Sequence, residues 1–556
     1  MKATAQKLNI KLRPLNAWMR IEPAHWTEAS VRHLLRRATW TARPVDVREL
    51  MKVGPAGMMD YLFGRAAYPN PHPVIEDFVS KIDAGLTGEF AAAMEWGRTD
   101  ASSKQHVAKI RKQSYRDPHM RRVILEHDEY QRAKAREEGD EKMGFVQFRN
   151  RFDQGGAWNR YAHEWLRIAS VPRNSAFSKF NLFLQNVLVV NQRSLEGSND
   201  YMADVHNFHR VIRDHCFGSY PVLVKKMFKT AAMGRMLDLL GSTKGSPNEN
   251  FAREVMELFT LGVSRGYDED DIKEAAKAFT GYVIDPESNP YTLGSDRDEL
   301  ILDPTKHDDS RKRVLGRTAD HDGDSVVDTI FTKPDAEVHL LRHLTHEYLI
   351  EGGLSDDYLR PLGAEWRRRD FNLRWLLETF LLSRIFHDPF FHGQIYKCPF
   401  QFYLGLLQDL GLQVEPGAEI VREMDFLGQR FSDPPDVNGW DGGAFWMNNG
   451  TINARRIIVA RLFSGSDRAG GGAASSGAAS FRVTDELLGQ FIDEKPRTDA
   501  ELVGHFLTYL MAIEPGPAFT GPLEQHLAKA TNKAGKIKAL RQAILAILQS
   551  QYYQVC

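Results

Sequence analysis

Apolar residues recur at helical spacing along nearly the whole of this 556-residue chain, which commits it to a mainly α fold. The segment 246–262 states the pattern most fully, because both ends of a helix are written into it. Ser246 reads as the N-cap, Pro247 stands where its missing N–H costs nothing, and Glu249 completes a capping box with Ser246. Gly262 supplies the left-handed stop. At about 100° per residue, Phe251, Val255, Leu258 and Phe259 form a core-facing stripe. Asn250, Glu254 and Glu257 form a second, polar stripe along its edge. Glu254 falls between Leu258 and Leu261, and a carboxylate beside an apolar face must be paired, hydrogen-bonded or shifted in pKa.

The same signals recur along the chain. Thr27 caps a helix to Ala38 whose apolar positions are Val31, Leu34, Leu35 and Ala38. Asp268, with Asp271 three residues on, opens a helix running through Ala275, Ala276 and Phe279 to Gly281. Residues 282–323 are the main irregular region. Helices resume over Ser325–Phe331 and Pro334–Ile350 and again from Leu359 to Leu410, and Phe431–Gly450 is a second irregular stretch. No internal repeat and no series of alternating strands is visible. The expected organisation is an N-terminal extension (1–24), a main helical domain (25–465), a Gly/Ala/Ser linker (466–480) and a small helical C-terminal segment (481–556). A charged helical insertion spans about 84–150, where few positions are apolar.

Composition narrows the function. Hydrophobic residues at 42% and charged residues at 26% are ordinary for a globular protein. Lys plus Arg is 72 against 73 for Asp plus Glu, so no charge excess points to nucleic acid or an anionic membrane. Cys216, Cys398 and Cys556 are odd in number and lack CxxC spacing, which argues against a disulfide framework or a thiolate zinc site. The basic N-terminus has no apolar h-region, and no run reaches transmembrane length. The expectation is a cytoplasmic chain without a membrane span.

Several ordered segments together resemble a known family. They include Leu34-Leu-Arg-Arg-Ala38, Arg213-Asp-His-Cys-Phe-Gly218 and the whole of Pro247–Gly262. Tyr267 through Asp271 to Gly281 follows, then His307-Asp308 with Lys312 and Leu315-Gly316. Lys397-Cys-Pro399, Gln429, Pro434-Pro435, Gly439-Trp440, Trp446, Asn453-Ala-Arg455 and Gln551-Tyr-Tyr-Gln complete the set. The chain so resembles the bacterial domain-of-unknown-function family 1800, whose activity is not established. The resemblance implies a gene neighbourhood with sulfatase-like proteins and export of many members, both pointing toward envelope or polysaccharide work and leaving a periplasmic or exported location open. The chain departs from the family at Phe183–Leu188, where Gln185 and Val187 stand in place of histidines.

Five groups of residues are candidates for chemistry. Glu254 and Glu257 share a helical face, and two close carboxylates suit general acid–base work; Asn250 and Arg253 would position substrate. The structural alternative pairs Arg253 with Glu257. His307-Asp308, in a long loop, reads as an acid–base His oriented by a carboxylate, as a metal ligand, or as a turn histidine. Trp440 and Trp446 read as a sugar-stacking platform or as packing between helices. His339, His343 and His346 form one helical stripe, for which an ordinary helix face is favoured over zinc, and Asp320–Asp324 reads as a turn and N-cap rather than a calcium loop. No metal or other cofactor is assigned. The expected activity is a hydrolase or lyase on a carbohydrate-type or cell-envelope substrate. The alternative is a non-catalytic accessory or scaffold protein partnering an envelope or polysaccharide enzyme, with a sulfatase-like protein as the partner.

Overall fold

The computed structural model describes residues 12–66, 154–195, 201–285, 299–412, 414, 420–463, 483–493 and 498–556. The charged insertion expected at about 84–150 and the linker at 466–480 lie outside these residues. Among the described residues, 22 α-helices stand against four strands of three residues each, so the class is mainly α.

Local signals placed several helices well. In α1 (Glu28–Ala38) Thr27 and Ser30 form a reciprocal capping box, and Val31, Leu34, Leu35 and Ala38 are all buried. Helix α2 (Pro44–Met59) follows, then α3 (Gln154–Ser170) and α4 (Ser175–Val187). Next come α5 (Glu249–Glu257) and α6 (Glu269–Ala278), the latter opened by a capping box between Asp268 and Asp271. These two pack against each other through edge-to-face rings. Phe251 meets Phe279 at 4.8 Å, Phe228 meets Phe279 at 5.5 Å, and Phe228 meets Tyr282 at 5.3 Å. Each such pair adds about 0.5–1.5 kcal/mol beyond its area. Gly323 closes this cluster, because a Cβ there would lie 2.7 Å from Tyr282 Oη and 2.8 Å from Phe279. Its N–H donates to Tyr282 Oη at 3.1 Å.

The region read as irregular, 282–323, contains two antiparallel strand pairs. Strand β1 (Tyr282–Ile284) pairs with β2 (Leu300–Leu302), and β3 (Lys312–Val314) with β4 (Arg317–Ala319). Three residues are too few for a period-two pattern to register. The second hairpin turns at Leu315 and Gly316, both at positive φ (53° and 80°), as a two-residue loop of matching twist requires. Asp271 holds this turn by accepting from Leu315 N at 2.6 Å.

Beyond it lie α7 (Gly323–Ile330), α8 (His339–Tyr348), α9 (Pro399–Asp409) and α10 (Asn449–Phe463). The helix expected from Pro334 is a 3-10 turn over Pro334–Glu337 before α8 begins. The last four helices, ending in α11 (Lys533–Gln549), form the C-terminal segment. It is fastened to the rest. Ala539, Leu540, Ala543, Ile544, Ile547 and Leu548 of α11 are buried, and Arg541 donates to Phe463 O and Val483 O. No helix among the described residues is long and apolar enough to cross a membrane.

Candidate functional site

Helix α5 starts two residues later than its sequence suggests. Ser246 is drawn into a tight turn, donating its N–H to Thr243 O at 2.8 Å, so Asn248 becomes the cap. Asn248 Oδ1 accepts from Asn250 N at 2.9 Å, and Asn248 N donates to Ser242 Oγ at 3.1 Å. Glu249 makes no capping box; it accepts from Arg253 at 3.4 Å instead. At the other end the stop is as read. Leu261 and Gly262 both donate back to Met256 O, and Gly262 sits at φ 101°. Phe251, Val255 and Phe259 are buried, while Leu258 is only half-buried.

The polar stripe lies along the half-buried edge. Among the described residues, the carboxylates of Glu254 and Glu257 have no hydrogen-bond or ion-pair partner. Arg253 does not pair with Glu257. It donates twice to Glu269 at the start of α6, at 2.9 and 2.8 Å, so its guanidinium is engaged there. Burial raises the Glu254 carboxyl above its usual range, and the charge of Glu257 pushes the same way against Arg253. Tyr267 lies within electrostatic reach of both carboxylates. Its hydroxyl is raised chiefly by burial and further by Glu257. Periodicity passed over Tyr267, although it stands in a family motif. The Asn250 side chain makes no hydrogen bond among the described residues.

The other candidates do not join this pair. His307 Nδ1 lies 2.9 Å from Thr280 O, and Asp308 N donates to Thr280 Oγ1 at 2.8 Å, at the C-terminal end of α6. A Cβ at Gly281 would come within 2.7 Å of His307 N, so only glycine admits this approach. Asp308 does not orient His307; its carboxylate accepts from Ser310 N and Oγ at 2.9 and 2.5 Å. Burial alone would raise Asp308, but the Ser310 bonds and the Lys312 charge bring it below the usual range. Because α5 and α6 are antiparallel, this turn sits by the start of α5. Glu257 is at the far end, roughly 12 Å along an axis rising 1.5 Å per residue.

Trp440 and Trp446 are buried, 8% and 2% exposed, and pack between elements. Trp440 is held by α4: its N–H donates to Asn186 Oδ1 at 2.7 Å, and Asn186 Nδ2 donates to its carbonyl at 3.2 Å. The histidine stripe of α8 is spent locally. His339 Nε2 lies 2.6 Å from Leu258 O, and His346 bonds Gly352 N and Asp441 O. Burial, then the charges of His346 and Arg342, push His343 down to about 4, so it is neutral at pH 7. Among the described residues no group of three His, Cys, Asp or Glu side chains is arranged to hold a metal. Asp322 caps α7 by accepting from Ser325 N at 2.9 Å, the turn and N-cap expected there.

Two further features escaped the sequence. A cavity of about 490 Å³ opens at the start of α5, lined by Arg235, Asp238, Ser246, Asn248 and Glu249 among others. Elsewhere, four family motifs converge on a buried polar knot. Lys179 of α4 donates to Gln401 Oε1 at 3.0 Å and Thr39 O at 3.3 Å, and Gln401 donates to Arg36 O at 2.7 Å. Arg455 bonds Gln554 Oε1 at 3.1 Å and Lys397 O at 2.6 Å. The Lys397 ammonium sits 3.5 Å over the Tyr553 ring, and Tyr553 and Thr41 both donate to Asp409. Burial brings Lys397 down to about 8. These motifs therefore tie α1, α4, α9, α10 and the C-terminal residues together.

The chain belongs to the family described as "Protein of unknown function (DUF1800)", whose model matches residues 33–555. No curated protein and no solved structure matches it.

Proposed function

We propose that this protein is a hydrolase or lyase acting on a carbohydrate-type or cell-envelope substrate, with Glu254 as general acid or base and Glu257 as its partner. The observation that carries the reading is the pair of half-buried carboxylates without protein partners, beside an arginine engaged elsewhere. Burial, and after it the charge of Glu257, raises the proton affinity of Glu254, which suits a group that must give or take a proton. Asn250 continues the stripe toward the cavity at the start of α5. The mixed donors and acceptors lining that cavity suit a hydroxyl-rich chain lying along the helix edge. Arg253, fixed to Glu269, contributes positive charge rather than a free hand, and His307-Asp308, bonded to Thr280 at the end of α6, is a second contributor.

The test is a screen of wild type against Glu254→Gln and Glu257→Gln on a panel of glycans and esters. Loss of a general acid or base is expected to lower the rate by about 10²–10⁴-fold. Equal activity in the variants, or none in any protein, ends the reading.

The burial of Trp440 and Trp446 favours a second reading, because neither of these rings is open for sugar stacking. In that reading the protein is a helical accessory of a sulfatase-like or polysaccharide enzyme. Co-elution with such an enzyme and a change in its rate would support it; separate elution would remove it. An envelope substrate requires a periplasmic or exported protein, and fractionation of the producing cell tests this against the cytoplasmic expectation.

A further inference from the structure

A second cleft, of about 280 Å³, lies among α1, the start of α2, residues 61–65 and the start of α4. Its apolar wall is Leu35, Leu62 and Ala176, all buried. Its charges do not balance. Arg43 and Asp46 form a two-pronged pair at 2.6 and 2.8 Å, and Tyr61 Oη donates to Asp46 at 2.8 Å. The one lining carboxylate is thereby occupied. Arg65 lies 4.8 Å over the Tyr61 ring, and Arg173 has no ion pair or hydrogen bond among the described residues. Both are exposed, so the rim carries two guanidinium groups without a carboxylate partner above an apolar wall. Gln408 closes the cleft, its Nε2 donating to Ser170 O and Ser175 Oγ.

We propose that this cleft binds a small organic oxyanion, its charged end held by Arg65 and Arg173 and its non-polar end seated on Leu35, Leu62 and Ala176. Guanidinium groups match the planar fork of a carboxylate or the oxygens of a phosphate. The volume exceeds the roughly 150 Å³ that accommodates a benzene ring, so one ring with an acid group fits. None of the elements that build the cleft carries Glu254 or Glu257, so this site stands apart from the proposed acid–base pair.

Calorimetric titration of the full chain with phenyl phosphate, benzoate and inorganic phosphate tests the proposal. Saturable binding of phenyl phosphate or benzoate is expected, tighter than inorganic phosphate, and the tighter of the two organic probes identifies the acid group. The Arg65→Gln, Arg173→Gln double variant should weaken it by at least about tenfold. Both side chains are exposed, so the variant's unfolding midpoint should match wild type. Leu62→Trp fills the apolar end and should remove the preference over inorganic phosphate. Absence of saturable binding, equal binding of inorganic phosphate, or unchanged affinity in the double variant would overturn the proposal.

Discussion

The carboxylate stripe of α5 and the polar knot around Lys397 and Arg455 are both built from family motifs, yet they treat charge in opposite ways. In the knot most charged atoms are bound: Asp409, half-buried, accepts from Tyr553 and Thr41, and the buried Arg455 spans Gln554 and Lys397, with only its Nε unpaired. In the stripe, Glu254 and Glu257 are half-buried and unpartnered. Burial of charge without a partner is costly, so a buried network persists only when its members satisfy one another. A free carboxylate at an accessible edge costs little and stays available to something outside the chain. The difference separates residues that hold this fold from residues free to act.

The comparison breaks most visibly through activity. Glu254→Gln should remove about 10²–10⁴-fold of rate on whatever substrate the screen identifies, while Asp409→Ala should leave the rate per folded molecule intact. Stability should respond the other way. Asp409→Ala strips an acceptor from two buried hydroxyls, and chemical denaturation should show a loss of about 2 kcal/mol or more. A retained unfolding midpoint would mean the knot is not the fastening described above.

A pH series sharpens the contrast. Lys397 loses its proton near pH 8 in the folded chain and at about 10.4 when unfolded. Between those values the unfolded state holds more protons, so stability attributable to this lysine rises with pH. Measured against Lys397→Met, the wild type should gain ground from pH 7 to pH 10. In the stripe, Glu254 is raised, so the folded state holds the extra proton. Its stabilising contribution is present below the unfolded pKa and lost as pH rises through the folded one. Replacing Glu257 with Gln removes a like charge and should move the Glu254 limb of the pH–rate profile to lower pH; an unmoved limb would uncouple the two. The smallest effect is on stability at the stripe itself. Glu254→Gln should change the unfolding free energy at neutral pH by no more than about 0.5 kcal/mol, toward greater stability.

Much of this was legible from local pattern. The Thr27 and Asp268 caps, the Gly262 stop and the buried faces of α1, α5 and α6 follow from residues within a few positions of one another. The N-cap of α5 was misplaced because Ser246 is claimed by Thr243, a competing turn that spacing does not rank against a capping box. The two hairpins were missed because each strand is only three residues long. Trp440 and Trp446 read as platform or packing, with packing slightly favoured, and Asn186, more than 250 positions away, makes the first of them a packing residue.

From the sequence alone come the mainly α class, the family and the edge position of Glu254, because helical periodicity and motif order are properties of neighbours along the chain. Tertiary structure decided which polar residues are spent and which are free. Arg253 faced Glu257 in the sequence and Glu269 in the fold; Lys397, Asp409 and Tyr553 had no visible relation until α9 met the C-terminal residues. Whether a charge is satisfied depends on what long-range packing brings within hydrogen-bond reach, and no spacing rule along one helix carries that information.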